Sequence, residues 1–486
     1  MNASLHTSDH AIDFSQEAVA RQIRAIFAEQ KVAFQAAPFP TADERIKKLA
    51  TLHQLIHSHT DAIQQAISAD FGHRCAEDTM LTEIMGSLKA ISYAKGHLKR
   101  WMKQRSRPVD ASFKPATAKI VPQPVGVVGI MAPWNFPFGL VIKPLIAALA
   151  AGNRAMIKPS ELTPNVAKLL KAMLGKLFAE NEVAVINGGA DVAQMFSELP
   201  FDHLLFTGST SNGRRVMMAA AKNLTPVTLE LGGKSPVIIA KDYDLQKAVK
   251  SIIAGKLMNA GQACAAPDYV FVPRSRLEEF VACFQADIAR TYPSPSSNPD
   301  YTSIINQRHF ERLQGYLDEA KAHNVKLAPL YPQDETREAQ RKLQPQLLIN
   351  PGLDLRIMQD EVFGPLLPVL TYDNLQDALD FINNRPRPLA LYLFTSDRKT
   401  EAHVLKSTHS GGVTVNDTLL HYAQESLPFG GIGESGLGAY HGEAGFKAFS
   451  HMKPVFRQSR INFLDLIRVP YTDRTKWLIK RIIKLA

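Results

Sequence analysis

Cysteine is scarce in this sequence, at 3 of 486 residues. Cys75, Cys264 and Cys283 are odd in number and widely spaced, and no C-x-x-C pair occurs. This pattern argues against a disulfide framework, a zinc site or a redox pair, so we expect no bound metal. Long apolar runs are also missing, since none reaches the roughly 20 residues that span a bilayer. The first twenty residues lack the apolar core of a signal peptide. We therefore expect a cytosolic protein in a reducing compartment.

Charged residues make up only 21% of the chain, but its net charge of +10 is unevenly distributed. Residues 451–486 carry nine Lys or Arg against two Asp. Within them, residues 475–486 have the spacing of a basic amphipathic helix, with Leu478, Ile482 and Leu485 on one face. We expect this helix to dock on the body of the protein; peripheral contact with an acidic membrane surface is the alternative. Basic and aromatic residues do not interleave, which argues against nucleic-acid binding.

The chain is too long for a single hydrophobic core, so two or three domains are expected. Residues 12–105 show helical apolar spacing, and residues 111–121 alternate as an extended arm would. From Val125 a strand–helix alternation begins, and a second such set runs from Pro236 to about Val415. The strands of the first set are predicted at residues 125–130, 154–158, 183–187, 203–207 and 227–231. This order predicts an α/β protein with a doubly wound parallel sheet and a ligand crevice at its carboxyl edge.

Two segments of the second half have the composition of exposed loops. They are residues 293–298, which are rich in Pro and Ser, and the charged stretch 333–342.

Cys264 lies in a loop that suits a nucleophile. It follows Gly-Gln-Ala, between a helix predicted to end near Met258 and a strand predicted at residues 269–272. A thiol there can be exposed at a domain junction, and it becomes a thiolate if backbone dipoles or cations lower its pKa. The alternative is that Cys264 is a buried apolar residue that fills space in the core. Cys75 and Cys283 have no setting that suits a nucleophile.

Glu230 ends a predicted buried strand, just before Gly232 and Gly233. A carboxylate at that position is costly to desolvate without a partner or a function. With a raised pKa it would serve as a general base that activates water. The alternative is a glutamate paired to a nearby lysine.

Residues 131–137 follow the first strand of the sheet and contain two prolines and two aromatic residues, which fix a rigid turn. Asn135 in this turn offers a neutral amide donor at the carboxyl end of the strand. Such a donor, together with a backbone N–H, would hold an oxyanion. Taken alone, the motif is only a turn.

Three further segments suit a dinucleotide. Residues 157–161 end a strand where doubly wound folds place a ribose-binding acid. Residues 206–213 join a strand to a helix, so that backbone N–H groups face a pyrophosphate, although the Gly-x-x-x-x-Gly spacing is weak evidence by itself. Residues 361–365 add an acid and an aromatic ring that would clamp a second ribose and a flat ring.

In this order, these segments resemble the aldehyde dehydrogenase superfamily from about residue 40 to 456. Residues 226–236, 266–269 and 438–442 resemble its class 3 branch, and residues 298–306 are similar to bacterial coniferyl aldehyde dehydrogenases. The resemblance implies an aldehyde dehydrogenase-like α/β fold with a doubly wound cofactor domain, an α/β catalytic domain and a small β bridging element.

The resemblance also implies the chemistry. Cys264 would attack the aldehyde, and Asn135 with the Cys264 N–H would stabilise the oxyanion. Transfer of a hydride to the nicotinamide leaves a thioester. Glu230 would then activate the water that releases a carboxylic acid, whereas relatives that pass the acyl group to coenzyme A lack this glutamate.

A cofactor-binding set follows from the same resemblance. Its members are Trp134, Lys158, Ser160, Glu161, Gly208, Ser209, Gly213, Glu361 and Phe363. Lys158 and Glu161 would contact the adenosine ribose, and residues 208–213 the pyrophosphate. Glu361 would contact the nicotinamide ribose and Phe363 the ring. An acid at Glu161 favours NAD by repelling a 2′-phosphate, with NADP as the alternative.

The domain boundaries are predicted on the same basis. They are residues 12–106 and 125–232 for NAD(P) binding, 233–449 for catalysis, 107–124 and 450–458 for bridging, and 459–486 for a basic tail. The bridging element implies a homodimer. We expect an aromatic aldehyde substrate such as coniferyl aldehyde. The alternative is a medium-chain or long-chain fatty aldehyde, together with peripheral membrane attachment. The remote alternative is a non-catalytic binding protein with the same fold.

Overall fold

The computed structural model describes residues 14–331 and 336–485. Residues 12–13 of the predicted cofactor domain, residues 333–335 of the second predicted loop and Ala486 lie outside the described residues. The helices are α1 Phe14–Ala36, α2 Ala42–Ser58, α3 Thr60–Phe71, α4 Ala76–Thr79, α5 Met85–Trp101, α6 Gly139–Ala151, α7 Pro164–Leu177, α8 Ala190–Ser197, α9 Thr210–Ala221, α10 Leu245–Leu257, α11 Leu277–Thr291, α12 Gln307–Ala322, α13 Arg356–Gln359, α14 Leu375–Asn383, α15 Arg398–Ser407, α16 Gly442–Ala448 and α17 Asp473–Leu485. The strands are β1 Arg105–Arg107, β2 Thr117–Pro124, β3 Val127–Met131, β4 Arg154–Lys158, β5 Val183–Val185, β6 His203–Gly208, β7 Val227–Leu231, β8 Pro236–Ile239, β9 Tyr269–Pro273, β10 Lys326–Ala328, β11 Gln346–Ile349, β12 Leu366–Tyr372, β13 Ala390–Phe394, β14 Gly412–Val415, β15 Gly436–Leu437 and β16 Ser450–Arg457.

The first sheet has six strands in the order β15-β7-β6-β3-β4-β5. All are parallel except β15, which runs antiparallel to β7. Every residue of β3 is buried, as expected for a parallel strand covered on both faces by helices. The five strands predicted for this set are present. Parallel pairing brings the carboxyl ends of β3, β4 and β6 to one edge, where the predicted cofactor segments begin.

The second sheet has seven strands in the order β10-β11-β12-β9-β8-β13-β14. Its strands are parallel apart from β10, which pairs antiparallel with β11. Its core includes Val237, Ile252, Phe271 and Leu391. The α/β alternation predicted from Pro236 to about Val415 is therefore confirmed.

The third sheet is antiparallel, with the order β1-β2-β16. β2 and β16 pair along their whole length, from Ser450 opposite Pro124 to Arg457 opposite Thr117. The extended arm predicted for residues 111–121 is wrong at its start. The Asp110 side chain accepts a hydrogen bond from the Ser112 N–H at 2.9 Å and begins a 3₁₀ turn. Such local side-chain bonds compete with strand formation.

The loop at residues 293–298 is irregular, as predicted, but it is not fully exposed. Ser296 and Asn298 are buried. The reason is a tie to the second predicted loop, because the Lys342 ammonium donates to the Asn298 carbonyl oxygen at 2.8 Å. The Asn298 side chain also accepts from the Asp300 N–H at 2.8 Å.

The predicted C-terminal helix is present as α17, but the expected docking on the protein body is wrong for much of its apolar surface. On the predicted face, Ile482 is 45% exposed and Leu478 is half-buried; outside that face, Trp477 is 55% exposed and Ile483 is 69% exposed. The helix packs on the short 3₁₀ segment Phe463–Ile467 and so leaves this surface uncovered. Within residues 14–331 and 336–485, no helix combines the length and the apolar character needed to cross a bilayer.

Candidate active site

The loop that carries Cys264 is rigidly built. After α10 ends, Asn259 and Ala260 have φ of 51° and Gly261 has φ of 77°, so the chain turns back through the left-handed region. A Cβ at Gly261 would collide with the Gly364 carbonyl oxygen, which explains the glycine. The buried Gln262 side chain donates to the Ser303 carbonyl oxygen at 3.1 Å. This loop presents a half-buried Cys264 between alanines that are buried.

The thiol of Cys264 lies among acids. Burial and, to a smaller extent, the Glu361 and Glu230 carboxyl groups raise its pKa to about 12, although the backbone N–H groups of Cys264 and Ala265 act in the opposite direction. The condition for a thiolate, a pKa lowered by dipoles or cations, is therefore not met in the protein without ligands, because burial and two carboxyl groups outweigh two N–H dipoles. The same interactions bring Cys264, Glu230 and Glu361 together in one site.

Glu230 lies on β7, opposite Thr207 of β6 and Gly436 of β15. It is 3% exposed. Neither of its carboxyl oxygens has a hydrogen-bond partner among the described residues, so the alternative of a lysine partner is not supported. Burial raises the pKa of Glu230 well above its ordinary value. A buried, unpaired carboxyl is unfavourable for folding, which points to a functional reason for its presence.

Asn135 is buried in the turn after β3. Its backbone carbonyl oxygen accepts from the Arg74 guanidinium at 2.9 Å and from the Asn259 side-chain amide at 3.0 Å. The second bond ties this turn to the loop of Cys264. The structure therefore brings together the segments of the three predicted catalytic residues.

Two positioning residues escape the sequence analysis. Arg74 and Glu83 form a fully buried ion pair at 2.8 Å. Glu83 lies on the π-helical turn Met80–Ile84, and its carboxylate accepts from the N–H groups of Phe138 and Gly139 at the start of α6. The pair thus holds the Asn135 backbone and the start of α6 in fixed positions. In the sequence these two residues look like surface charges of a helical region.

A cleft of about 780 Å³ opens at the carboxyl ends of β3, β4 and β6. Six of the predicted cofactor residues line it: Trp134, Lys158, Ser160, Glu161, Gly208 and Ser209. The Lys158 ammonium is buried and lies 3.7 Å from the Glu161 carboxylate. Burial lowers the pKa of Lys158. Ser209 caps the N-terminus of α9, where N–H groups suit an anionic ligand.

The other three predicted cofactor residues lie elsewhere. Gly213 faces β7, where a Cβ would be 2.5 Å from Leu231, so it serves the close approach of helix and strand. Glu361 lies against Gly232 in an adjoining cavity of about 460 Å³. Phe363 has φ of 45°, and its ring packs edge-on against Trp134 at 5.3 Å between centroids.

The residues fit a dinucleotide. Thr207 Oγ1 and Glu361 Oε1 are buried without a hydrogen-bond partner among the described residues. Each is a polar atom that a bound ligand would satisfy. Burial and the neighbouring Asp268 carboxylate raise the pKa of Glu361 to about 8.

Fold and site together define an α/β enzyme with a ligand cleft beside a thiol and an unpaired carboxyl group. A family model described as "Aldehyde dehydrogenase family" matches residues 5–455. The chain belongs to the aldehyde dehydrogenase family and is an aldehyde dehydrogenase. The resemblance found in the sequence is thereby confirmed.

Two curated relatives illustrate the match. The "Probable coniferyl aldehyde dehydrogenase" of Pseudomonas aeruginosa is 50% identical over 461 residues, covering 95% of this chain and 96% of the relative. "Aldehyde dehydrogenase family 3 member A2" of Rattus norvegicus is 40% identical over 434 residues, covering 89% and 88%. Both the class 3 and the coniferyl aldehyde dehydrogenase resemblances are therefore supported.

Solved structures agree on the fold. The substrate-bound state of Staphylococcus aureus AldH has a TM-score of 0.89 at 38% identity, covering 95% of this chain and 99% of that one. The aldehyde dehydrogenase of Mycobacterium tuberculosis complexed with NAD⁺ has a TM-score of 0.80 at 28% identity, covering 90% of each chain. The predicted fold class is confirmed.

Proposed function

We propose that this enzyme oxidises an aromatic aldehyde, coniferyl aldehyde or a close analogue, to its carboxylic acid with NAD. One observation carries the proposal: a half-buried thiol shares its site with a buried carboxyl group that has no protein partner. The substrate class is supported by the relative named as a probable coniferyl aldehyde dehydrogenase at 50% identity.

In the proposed mechanism, the Cys264 thiol releases its proton to solvent as its sulfur bonds to the carbonyl carbon, and the carbonyl oxygen becomes an alkoxide. The Asn135 side-chain amide and the Cys264 N–H stabilise that negative charge. When bound, NAD supplies the hydride acceptor. The residues that would hold it are those lining the cleft, with Glu361 and Phe363 at the nicotinamide end.

The acyl group then remains on Cys264 as a thioester. Glu230 takes a proton from a water molecule while the water oxygen bonds to the acyl carbon, and the carbon–sulfur bond breaks. The carboxylic acid leaves, and Glu230 passes the proton that it took from water to the sulfur. A raised pKa suits Glu230 to this exchange, because a general base is most effective when its pKa is near the working pH.

The catalytic assignment is tested with Cys264→Ala, using Cys283→Ala as the matched control. Cys283 is a half-buried thiol on α11 that packs against the core of the second sheet. With coniferyl aldehyde and NAD, followed at the NADH absorbance, the first variant should lose activity and the second should keep it. Turnover by Cys264→Ala would disprove the nucleophile. A Glu230→Gln variant should give one burst of NADH and then turn over slowly.

The cofactor preference is proposed from the charge of Glu161. A 2′-phosphate beside this carboxylate would be repelled, which favours NAD over NADP, and the relative solved with NAD⁺ supports NAD use. Glu161→Gln should raise kcat/KM for NADP relative to NAD. An unchanged ratio would remove Glu161 from the selection.

We also infer that the protein is a homodimer. Each copy has a cofactor domain (12–106 and 125–232), a catalytic domain (233–449) and a bridging element (107–124 and 450–458), and the bridging element holds the two copies together. The support is β16, an eight-residue edge strand whose free side offers backbone groups to a second copy. Analytical ultracentrifugation should give the dimer mass; a monomer at micromolar concentration would refute it.

Peripheral membrane contact is a second candidate property, alongside a cytosolic location. It is favoured by the exposed Trp477 and Ile483, which share α17 with Lys480, Arg481 and Lys484. Ile483→Asp should abolish co-sedimentation with anionic vesicles, and a wild-type protein that does not sediment would refute the contact. A fatty aldehyde as substrate would suit such attachment, and comparison of kcat/KM for coniferyl aldehyde and long alkanals decides between them.

A further inference from the structure

A buried polar cluster lies outside the cofactor cleft. Its centre is Lys143, the one charged residue in the helix α6, and its side chain is 4% exposed. The ammonium lies 3.3 Å from a Glu425 carboxylate oxygen and 4.2 Å from the centroid of the Tyr422 ring. Lysine is almost never buried in such an apolar helix unless it is paired.

This cluster adjoins the thiol. Tyr422 and Cys264 are both half-buried and pack against the same hydrophobic core. The Lys143 ammonium and the Cys264 thiol both lie close enough to Tyr422 to influence the ionisation of its phenol. His441 lies 5.1 Å from the Tyr422 ring and is buried, and neither of its ring nitrogens has a partner among the described residues.

The space beside the cluster is small. A void of about 10 Å³, lined by Lys143, Glu425 and His441 together with alanines of α5 and α6, holds about one oxygen-sized group. A hydroxyl group suits these walls, because it accepts a hydrogen bond from an ammonium and donates one to a carboxylate. An alkyl chain would leave both ring nitrogens of the buried His441 without a hydrogen-bond partner.

We propose that Lys143, Tyr422 and Glu425 determine substrate specificity by binding the ring hydroxyl of a phenolic aldehyde while its carbonyl lies at Cys264. This inference rests on the proposed function and adds to it the residues that recognise the ring hydroxyl of the substrate. The group acts on binding at the far end of the substrate and takes no part in bond making.

The test removes the contact between Lys143 and the ring hydroxyl in two ways: by a variant of the protein and by a substrate without the hydroxyl. Lys143→Met keeps the length of the side chain and removes the charge, and coniferyl aldehyde is compared with cinnamaldehyde, which has no ring hydroxyl. Wild-type kcat/KM should favour coniferyl aldehyde by roughly 10-fold to 100-fold, the usual effect of a hydrogen bond to a charged group. Lys143→Met should lose that preference and keep its activity on cinnamaldehyde.

Lys406→Met, at an exposed position on α15, is the matched control and should retain the preference. Equal loss on both substrates in Lys143→Met would show a purely structural pair and overturn the inference. Should that variant not fold, the wild type still decides, since equal kcat/KM for the two aldehydes overturns the inference while leaving the proposed function intact. A wild type that oxidises neither aldehyde refutes both.

Discussion

Replacement of Glu230 by Gln should make the protein more stable while it slows turnover. The carboxyl group is buried without a partner, and its pKa in the folded protein is raised well above the ordinary value of 4.5. Such a group favours folding fully below its unfolded pKa, and that contribution is lost as the pH rises, because the unfolded chain ionises while the folded one does not. Glutamine cannot ionise, so the variant escapes this loss.

The magnitude follows from the interval between the two pKa values. Each pH unit above 4.5 costs the wild type about 1.4 kcal/mol until the folded pKa is reached. At pH 7 the penalty is therefore up to roughly 3 kcal/mol. A chain of 486 residues gains roughly 1 kcal/mol/K of entropy on unfolding, so the melting temperature should rise by up to about 3 °C.

The assay is thermal unfolding of both proteins, without cofactor, from pH 5 to pH 8. The two melting temperatures should differ least at pH 5 and diverge as the pH rises. Glu278→Gln, at a side chain that is 84% exposed, is the control and should show no such divergence. A difference that stays constant with pH, or a wild type that gains on the variant at pH 8, would show that Glu230 is ionised in the fold and would refute the argument.

Three further predictions address the rest of the site. Gly213→Ala places a Cβ 2.5 Å from Leu231 and should destabilise the protein by about 1–3 kcal/mol in denaturant unfolding. An unchanged unfolding midpoint would contradict this, because it would mean that α9 and β7 can move apart at no cost. Arg74→Met leaves Glu83 buried and unpaired, at a cost of roughly 3–5 kcal/mol by the same measurement, and a cost below 1 kcal/mol would contradict the positioning role. The pKa of Cys264, raised to about 12, predicts that its alkylation rate, followed by mass spectrometry, rises about tenfold per pH unit from pH 6 to pH 9; a plateau in that range would contradict it.

The sequence predicted those features that local patterns determine. The apolar run of β3 could hardly be anything but a buried strand, and the glycine before Gln262 marked a turn that exposes Cys264. The charge environment of the site residues was harder to predict from the sequence. The raised pKa of Cys264 is caused first by burial and then by Glu361, which is distant in sequence and lies close because β12, the strand after Glu361, pairs with β9, the strand after Cys264. Lys143 and Glu425 were missed for the same reason, since a lysine in an apolar helix shows no partner until the chain is folded.

The electrostatics of the site explain why the thiol lies among acids. Because the pKa values of Cys264, Glu230 and Glu361 are all raised, their neutral forms are favoured and the site without ligands carries little charge. A protonated thiol resists oxidation, which a permanent thiolate in a solvent-accessible loop would not. A positive charge arriving beside these groups lowers all three pKa values together and favours ionisation of the sulfur.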